Sequence, residues 1–281
     1  MRDITQDLRS LRSASGFRGI IPASDARSLC EASDATIDAL MTMLLPFAAE
    51  YAKPPISNFK VGAISRGISG NLYFGTNVEL AGEALSFTVH AEQSSVTNAW
   101  MNGEEGIERI AVTAAPCGYC RQFLNELVTA PDLIVTMPST TSTLSQLLPS
   151  AFGPRDLGID GGLMQHEHHG LSIAEDGELE RAALVAADVS YAPYSKSFAG
   201  IALRTRDGAI VTGAYAENAA FNPSLSPLEA ALSQLNLAGH AFGEITEAAL
   251  VRVNDLHDGA TKTVLARFPS VRLRVIAASI A

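Results

Sequence analysis

Two short stretches carry residues that could do chemistry together: Val89-His90-Ala91-Glu92-Gln93 and Pro116-Cys117-Gly118-Tyr119-Cys120. The first offers an imidazole and, two residues on, a carboxylate. The second offers two thiols three residues apart, after a proline that can open a helix. One histidine and two cysteines are three zinc donors, and a catalytic zinc site typically has three protein ligands and an open fourth position for water. Zinc lowers the pKa of a water it binds from about 15.7 to about 7, so hydroxide becomes available at neutral pH to attack a poorly electrophilic carbon. Two thiolates and a neutral imidazole balance the metal's charge, which keeps that hydroxide nucleophilic. Cys117 and Cys120 fall at a helix N-terminus, where the dipole favours thiolate. Glu92 as a fourth ligand would close the site. Its useful role is to take a proton from the water, give one to the substrate and then protonate the leaving group.

A C-x-x-C taken alone is also the pattern of a redox pair or of half a structural zinc site. A structural site needs a fourth ligand. The one other cysteine, Cys30, lies in an apolar-patterned helix and reads as a buried, inert thiol.

The elements that must position these residues come next. Helical periodicity covers 25–33 and 34–51, and Lys53-Pro54-Pro55 ends the second helix. Segments 59–68 and 70–78 read as two strands with a turn around 66–71. The spacing predicts a helix over 86–101, carrying His90 and Glu92 near its start. A strand over 107–114, a helix over 117–127 and a strand over 132–137 follow. This alternation implies an α/β fold, a mixed sheet with helices packed against it.

The chain has 281 residues, 47% hydrophobic and 18% charged, which suits a globular protein of one large or two ordinary domains. The net charge is −10 and no Lys/Arg cluster is present, which disfavours a nucleic-acid partner and points to a small substrate. The first ten residues hold several charges and no apolar core of a secretory signal. The longest apolar run, 39–49, is too short to span a bilayer. Three cysteines, two of them assigned to metal, give no disulfide framework. The expectation is a cytoplasmic protein with no membrane partner.

At this point a resemblance becomes close. Ser57-Asn58-Phe59-Lys60-Val61-Gly62-Ala63, Gly75-Thr76-Asn77-Val78-Glu79, His90-Ala91-Glu92 and Pro116-Cys117-Gly118-Tyr119-Cys120 resemble cytidine deaminase, in order and spacing. H-x-E followed by P-C-x-x-C is the pattern of zinc-dependent base deaminases. Residues 148–157, from Leu148-Pro149 to Asp156-Leu157, look like the longer, two-domain, homodimeric branch. The resemblance implies hydrolytic deamination of cytidine and 2′-deoxycytidine in pyrimidine salvage, with one Zn2+ per chain held by His90, Cys117 and Cys120. It implies further that Phe59 packs on the pyrimidine and that Asn77 and Glu79 bind the ribose hydroxyls. The Ala91 N–H would meet the base oxygen, the Ala115 carbonyl would receive the leaving amine, and Phe152 would reach the pocket of the other subunit. Ala114-Ala115 stands where the family often has Ser or Thr, and Tyr119 occupies a variable position.

The second half repeats the first. Pro55-Ile56-Ser57 recurs as Pro193-Tyr194-Ser195, and Gly62, Gly75 and Glu79 recur at the same offset as Gly200, Gly213 and Glu217. Tyr215 replaces Asn77. After a one-residue deletion His90-Ala91-Glu92 falls on Pro227-Leu228-Glu229, and no cysteine follows Cys120. The expected organisation is a helical region over 1–47, a catalytic domain over 48–136, a linker over 137–186 and a non-catalytic repeat over 187–281. Pro138-Ser139-Thr140-Thr141-Ser142-Thr143 has linker composition. Gln165-His166-Glu167-His168-His169 looks like a metal tract, but its polar, Gly-rich surroundings suit a solvated loop better. Two other functional classes stay open here: a deaminase for a cytosine-bearing antibiotic or a polynucleotide, and a zinc-stabilised binding protein without catalysis.

Overall fold

Helix α3 (Ala91–Met101), which carries Glu92, starts where it does because of the strand pairing just before it. Val89 exchanges both backbone hydrogen bonds with Val78, at 2.9 and 3.0 Å, and this holds residue 89 extended. The helix expected from residue 86 therefore begins at Ala91. Only a single 3-10 turn, Leu85–Phe87, precedes it. His90 becomes its N-cap, and the Gln93 side chain accepts the His90 N–H at 3.1 Å. Residues 91–99 are all buried, so their polar side chains are satisfied internally. Ser95 bonds Ser65 on the neighbouring strand at 2.7 Å, and the Asn98 amide reaches the carbonyls of Gly19 and Phe74 at 3.0 and 3.1 Å.

The computed structural model describes residues 16–175, 177–268 and 270–280, together with Gln6, Arg9 and Ser10. Most of the segment 1–15, at the start of the expected helical region 1–47, lies outside the described residues. The chain divides into two units, Met1–Phe152 and Gly153–Ala281.

In the first unit, β1 (Ile20–Ile21), β2 (Gly62–Gly67), β3 (Leu72–Thr76), β4 (Ile107–Val112), β5 (Ile134–Met137) and β6 (Thr140–Thr143) form a sheet in the order β1-β3-β2-β4-β5-β6. Only β4 and β5 run parallel. The helices are α1 (Ala23–Ser33), α2 (Ile37–Ala49), α3, α4 (Gly118–Leu124) and α5 (Leu144–Leu147). Two glycines let helices lie directly on strands. A Cβ at Gly62 would collide with the backbone of α2, and one at Gly75 with that of α3. Helix α2 runs across residue 47, where the sequence suggests a boundary.

In the second unit, β8 (Ala199–Thr205), β9 (Ile210–Ala214), β10 (Ile245–Arg252) and β11 (Arg272–Ala277) form a sheet in the order β11-β10-β8-β9. β7 (Leu171–Ser172) pairs separately with β12 (Ser279–Ile280). The helices are α6 (Glu178–Asp188), α7 (Pro227–Leu237) and α8 (Asp258–Leu265). Gly200 and Gly213 repeat the close approaches of Gly62 and Gly75, against α6 and α7.

Much of the stretch 137–186 is ordered structure rather than linker. Pro138 and Ser139 make the turn of a hairpin in which Met137 faces Thr140, and the β-branched threonines 140, 141 and 143 supply its edge strand. Leu179, Ala183, Ala186 and Ala187 form the buried stripe of α6.

The duplicate also needs a correction of register. Gly75 abuts Ala91 and Ser95, whereas Gly213 abuts Pro227 and Ala231. The N-cap of α7 is Ser226, and Glu229 closes its capping box as Gln93 does for α3. The offset thus drops by two residues rather than one. Ser226 corresponds to His90, Leu228 to Glu92, and Glu229 to Gln93.

Candidate metal centre and active site

The three expected zinc donors meet in the first unit. His90 and Cys117 are the N-caps of α3 and α4, and Cys120 lies one turn into α4, so each donor is fixed at a helix start. His90 Nδ1 is 3.3 Å from Cys120 Sγ and 3.6 Å from Cys117 Sγ, and the two sulfurs are 3.6 Å apart. A tetrahedral zinc with bonds of about 2.3 Å to sulfur and about 2.0 Å to nitrogen places its donors roughly 3.5 to 3.8 Å from one another. The donor set and its spacing fit that ion. Among the described residues this is the one group of three or more ligand atoms close enough to share an ion.

Of the three donors, Cys117 is the one held toward the deprotonated form a metal needs. Hydrogen bonding by Cys120 and His90 pulls the Cys117 thiol down to about 3, within reach of thiolate at any ordinary pH. The neighbouring Cys117 sulfur and burial both push Cys120 up. Bonding to Cys117 raises His90. Glu92 is 4% exposed, and its burial lifts the carboxyl above the usual range even though it bonds Cys120. A raised carboxyl beside the donors holds a proton more readily than an ordinary one, as a group that shuttles protons there must.

A second network adjoins the first. Glu79 accepts the backbone N–H groups of Ile56 and Ser57, each at 2.9 Å, and the Ser57 hydroxyl at 2.5 Å. Burial opposes its ionisation, but these bonds outweigh it and hold the carboxyl below its ordinary value. The Asn77 amide donates to the Phe59 carbonyl at 2.9 Å and more weakly to Glu79 at 3.4 Å, and its oxygen accepts the Val61 N–H at 2.9 Å. Asn77 and Glu79 therefore share one side, as their alternation suggests, although β3 itself ends at Thr76.

Phe59 lies in the loop they hold, outside β2, and is 59% exposed. Phe152 is 47% exposed, and its carbonyl accepts from Gln122 at 2.8 Å and from Asn125 at 3.1 Å. Ala91 is buried as the first residue of α3, and Ala115 is exposed before Pro116.

Sequence reasoning overlooks three neighbours. Gln93 fixes the His90 backbone, and its three-residue spacing from the cap is a readable signal. Arg121 donates to the Pro116 carbonyl at 2.9 Å and to the Leu147 carbonyl at 2.8 Å, for which no local signal exists. Tyr119 lies with its ring against His90 at a centroid distance of 5.1 Å.

The second unit keeps the loop clamp but not the donors. Glu217 accepts the N–H groups of Tyr194 and Ser195 and the Ser195 hydroxyl, as Glu79 does in the first unit. His257 caps α8 where Cys117 caps α4, and Ala260 stands where Cys120 does. The His257 ring is buried edge-on against Tyr215 at 4.2 Å. The His166–His169 tract disperses its imidazoles. His168 pairs with Asp188 at 3.0 Å, and His169 bonds the Ser190 carbonyl at 2.6 Å and stacks on Phe198. Cys30 is half-buried, not fully enclosed.

Comparison with known proteins matches two family models, each described as the cytidine and deoxycytidylate deaminase zinc-binding region, to residues 35–137 and 144–262. A cytidine deaminase of Photobacterium profundum is 46% identical over 98% of this chain and 95% of its own length. One of Vibrio cholerae is 49% identical over 87% of this chain and 83% of its own. Another, of Pectobacterium atrosepticum, is 51% identical over 84% of this chain and 80% of its own. With 46% identity to the Photobacterium profundum protein sustained along nearly the full length of both chains, and with His90, Cys117 and Cys120 close enough to share a metal ion, the chain belongs to the cytidine deaminase family of zinc-dependent hydrolytic enzymes.

Proposed function

We propose that the first unit hydrolyses cytidine and 2′-deoxycytidine to uridine and 2′-deoxyuridine, releasing ammonia. The observation that carries this reading is the His90, Cys117 and Cys120 cluster with the buried Glu92 carboxyl beside it. Zinc held there supplies a Lewis acid that makes a water acidic near neutral pH. The remaining work falls to the chain. Glu92 takes a proton from the attacking water and passes it to the pyrimidine ring nitrogen, then takes the second proton from the new C4 hydroxyl and gives it to the amine as the C4–N bond breaks. Ala91 opens α3, so its N–H is among those the helix does not bond itself, and it is suited to meet the base oxygen. The Ala115 carbonyl receives the departing amine, which favours cytosine over uracil, since the product would leave that acceptor facing another acceptor.

Phe59 offers its exposed ring to the face of the base. Asn77 and Glu79 take the ribose hydroxyls, and the long 3.4 Å bond between them is the one a hydroxyl would replace. Fixing the loop at Ile56 and Ser57, Glu79 also sets where Phe59 stands. The exposed Phe152 suits a homodimer in which it reaches the partner's pocket. Among the described residues no helix is long and apolar enough to cross a membrane. The same reading gives the enzyme a cytoplasmic place in pyrimidine salvage.

The test is product formation by purified, zinc-loaded protein. Uridine and ammonia appear from cytidine, and deoxyuridine from deoxycytidine, while single-stranded DNA is left unchanged. Sedimentation of the same sample gives two chains per particle. No uridine from cytidine would overturn the assignment, and deamination of DNA alone would move it to the polynucleotide class.

A further inference from the structure

The His90 side chain must aim Nδ1 at two sulfurs that lie on a different helix. Its backbone is fixed, since it caps α3 and Gln93 holds its N–H. The imidazole torsion is not fixed by that, because the rotation of a ring about its Cβ–Cγ bond is broad and roughly two-fold. In most zinc sites an outer partner removes this freedom and thereby raises metal affinity.

Here an aromatic face lies against the ligand ring. Tyr119 is the second residue of α4, between the two cysteines, and its ring stacks on His90 with centroids 5.1 Å apart and planes 28° apart. That is the separation of a favourable offset aromatic pair. The contact joins the start of α3, which supplies the nitrogen donor, to the start of α4, which supplies both sulfurs. In the second unit Gly259 occupies the corresponding position of α8 and Ser226 that of His90, so the ring pair and the donors are missing together.

We propose that Tyr119 is a positioning residue of the zinc centre. Its ring holds the His90 imidazole in the plane that points Nδ1 at Cys117 and Cys120, and so slows loss of the metal. The role belongs to the flat face, and any aromatic ring at this position serves. The proposal rests on His90 being a metal ligand.

The experiment follows zinc transfer from the holoprotein to a chromophoric chelator for wild type, Tyr119→Phe, Tyr119→Leu and Tyr119→Ala, with thermal melting of each zinc-loaded variant to establish folding. Tyr119→Phe is expected to release zinc at the wild-type rate. Tyr119→Ala, and Tyr119→Leu with its bulk but no flat face, release it roughly two- to tenfold faster, the range an aromatic pair contributes. A second readout is the ligand-field absorption of the cobalt(II)-substituted protein, expected to be unchanged in Tyr119→Phe and broadened in the two variants without a ring. Wild-type release rates in Tyr119→Ala overturn the proposal. So does acceleration in Tyr119→Phe, which would assign the effect to the hydroxyl, or wild-type behaviour in Tyr119→Leu, which would assign it to bulk. The deamination reading is judged separately by uridine formation in wild type. A wild-type protein that holds no zinc overturns both.

Discussion

Glu92 and the three donors divide the labour of the site, and the division is open to test one side chain at a time. The donors hold a metal, whereas Glu92 is buried beside them with its carboxyl pushed up by desolvation. Glu92→Gln keeps the shape and a polar end but cannot carry a proton. The variant is expected to retain its zinc and lose at least about 10²- to 10⁴-fold in turnover, the usual contribution of a positioned acid–base group. Metal analysis and initial rates on one preparation check both halves of the statement. Near-normal turnover would remove Glu92 from the proton path, and loss of zinc would make it a structural partner of Cys120. At this scale the sequence is informative because chemistry constrains residue type: H-x-E and C-x-x-C are readable with no knowledge of the fold. Tyr119 and Arg121 are not readable in that way, since stacking on His90 and reaching the Leu147 carbonyl depend on how two helices meet.

Helix starts set the register of both units, and this is where reading from sequence goes astray. Pairing Glu229 with Glu92 aligns two acids, yet a cap fixes a helix more firmly than an acid does, and the cap of α7 makes Glu229 the counterpart of Gln93. The hairpin of β5 and β6 is hidden for a related reason: Pro138-Ser139 has the same composition in a tight turn as in a linker. Alternating strands and helices are legible because burial imposes period; exact ends are not, because Val78 pairing with Val89 decides where α3 begins. Glu229 itself yields a prediction. It is 7% exposed, and burial raises its carboxyl from 4.5 to about 6 despite the bonds from Ser226. Between those values the folded chain binds the proton more tightly than the unfolded one. Its contribution to stability is therefore complete below pH 4.5 and declines as pH rises through about 6, by about 2 kcal/mol in all. Glu229→Gln retains an acceptor for the Ser226 N–H and has no charge to bury. Urea unfolding is expected to give equal stabilities for parent and variant near pH 4, and a variant more stable by up to about 2 kcal/mol above pH 7. A difference that does not change with pH would contradict the assigned cause.

Across the whole molecule the two units share a plan and differ in what they can hold. Both lay a helix on a strand through a glycine, and both clamp a loop with a glutamate, so these features serve the fold whether or not a metal is present. The donors are another matter. Where the first unit has His90, Glu92, Cys117 and Cys120, the second has Ser226, Leu228, His257 and Ala260. A lone imidazole offers one of the three donors that a catalytic zinc site requires, and His257 is buried against Tyr215, with its pKa pulled down to about 4 by desolvation. His168 and His169 are engaged by Asp188 and Ser190. The expected content is one zinc per chain, measured by elemental analysis after dialysis against metal-free buffer. Cys117→Ser then takes the chain from one zinc to nearly none, because among the described residues no second group of donors lies close enough to keep a share. A parent with two zinc ions, or a Cys117→Ser variant that still holds a full one, would require a donor set in the second unit that its helix starts do not provide.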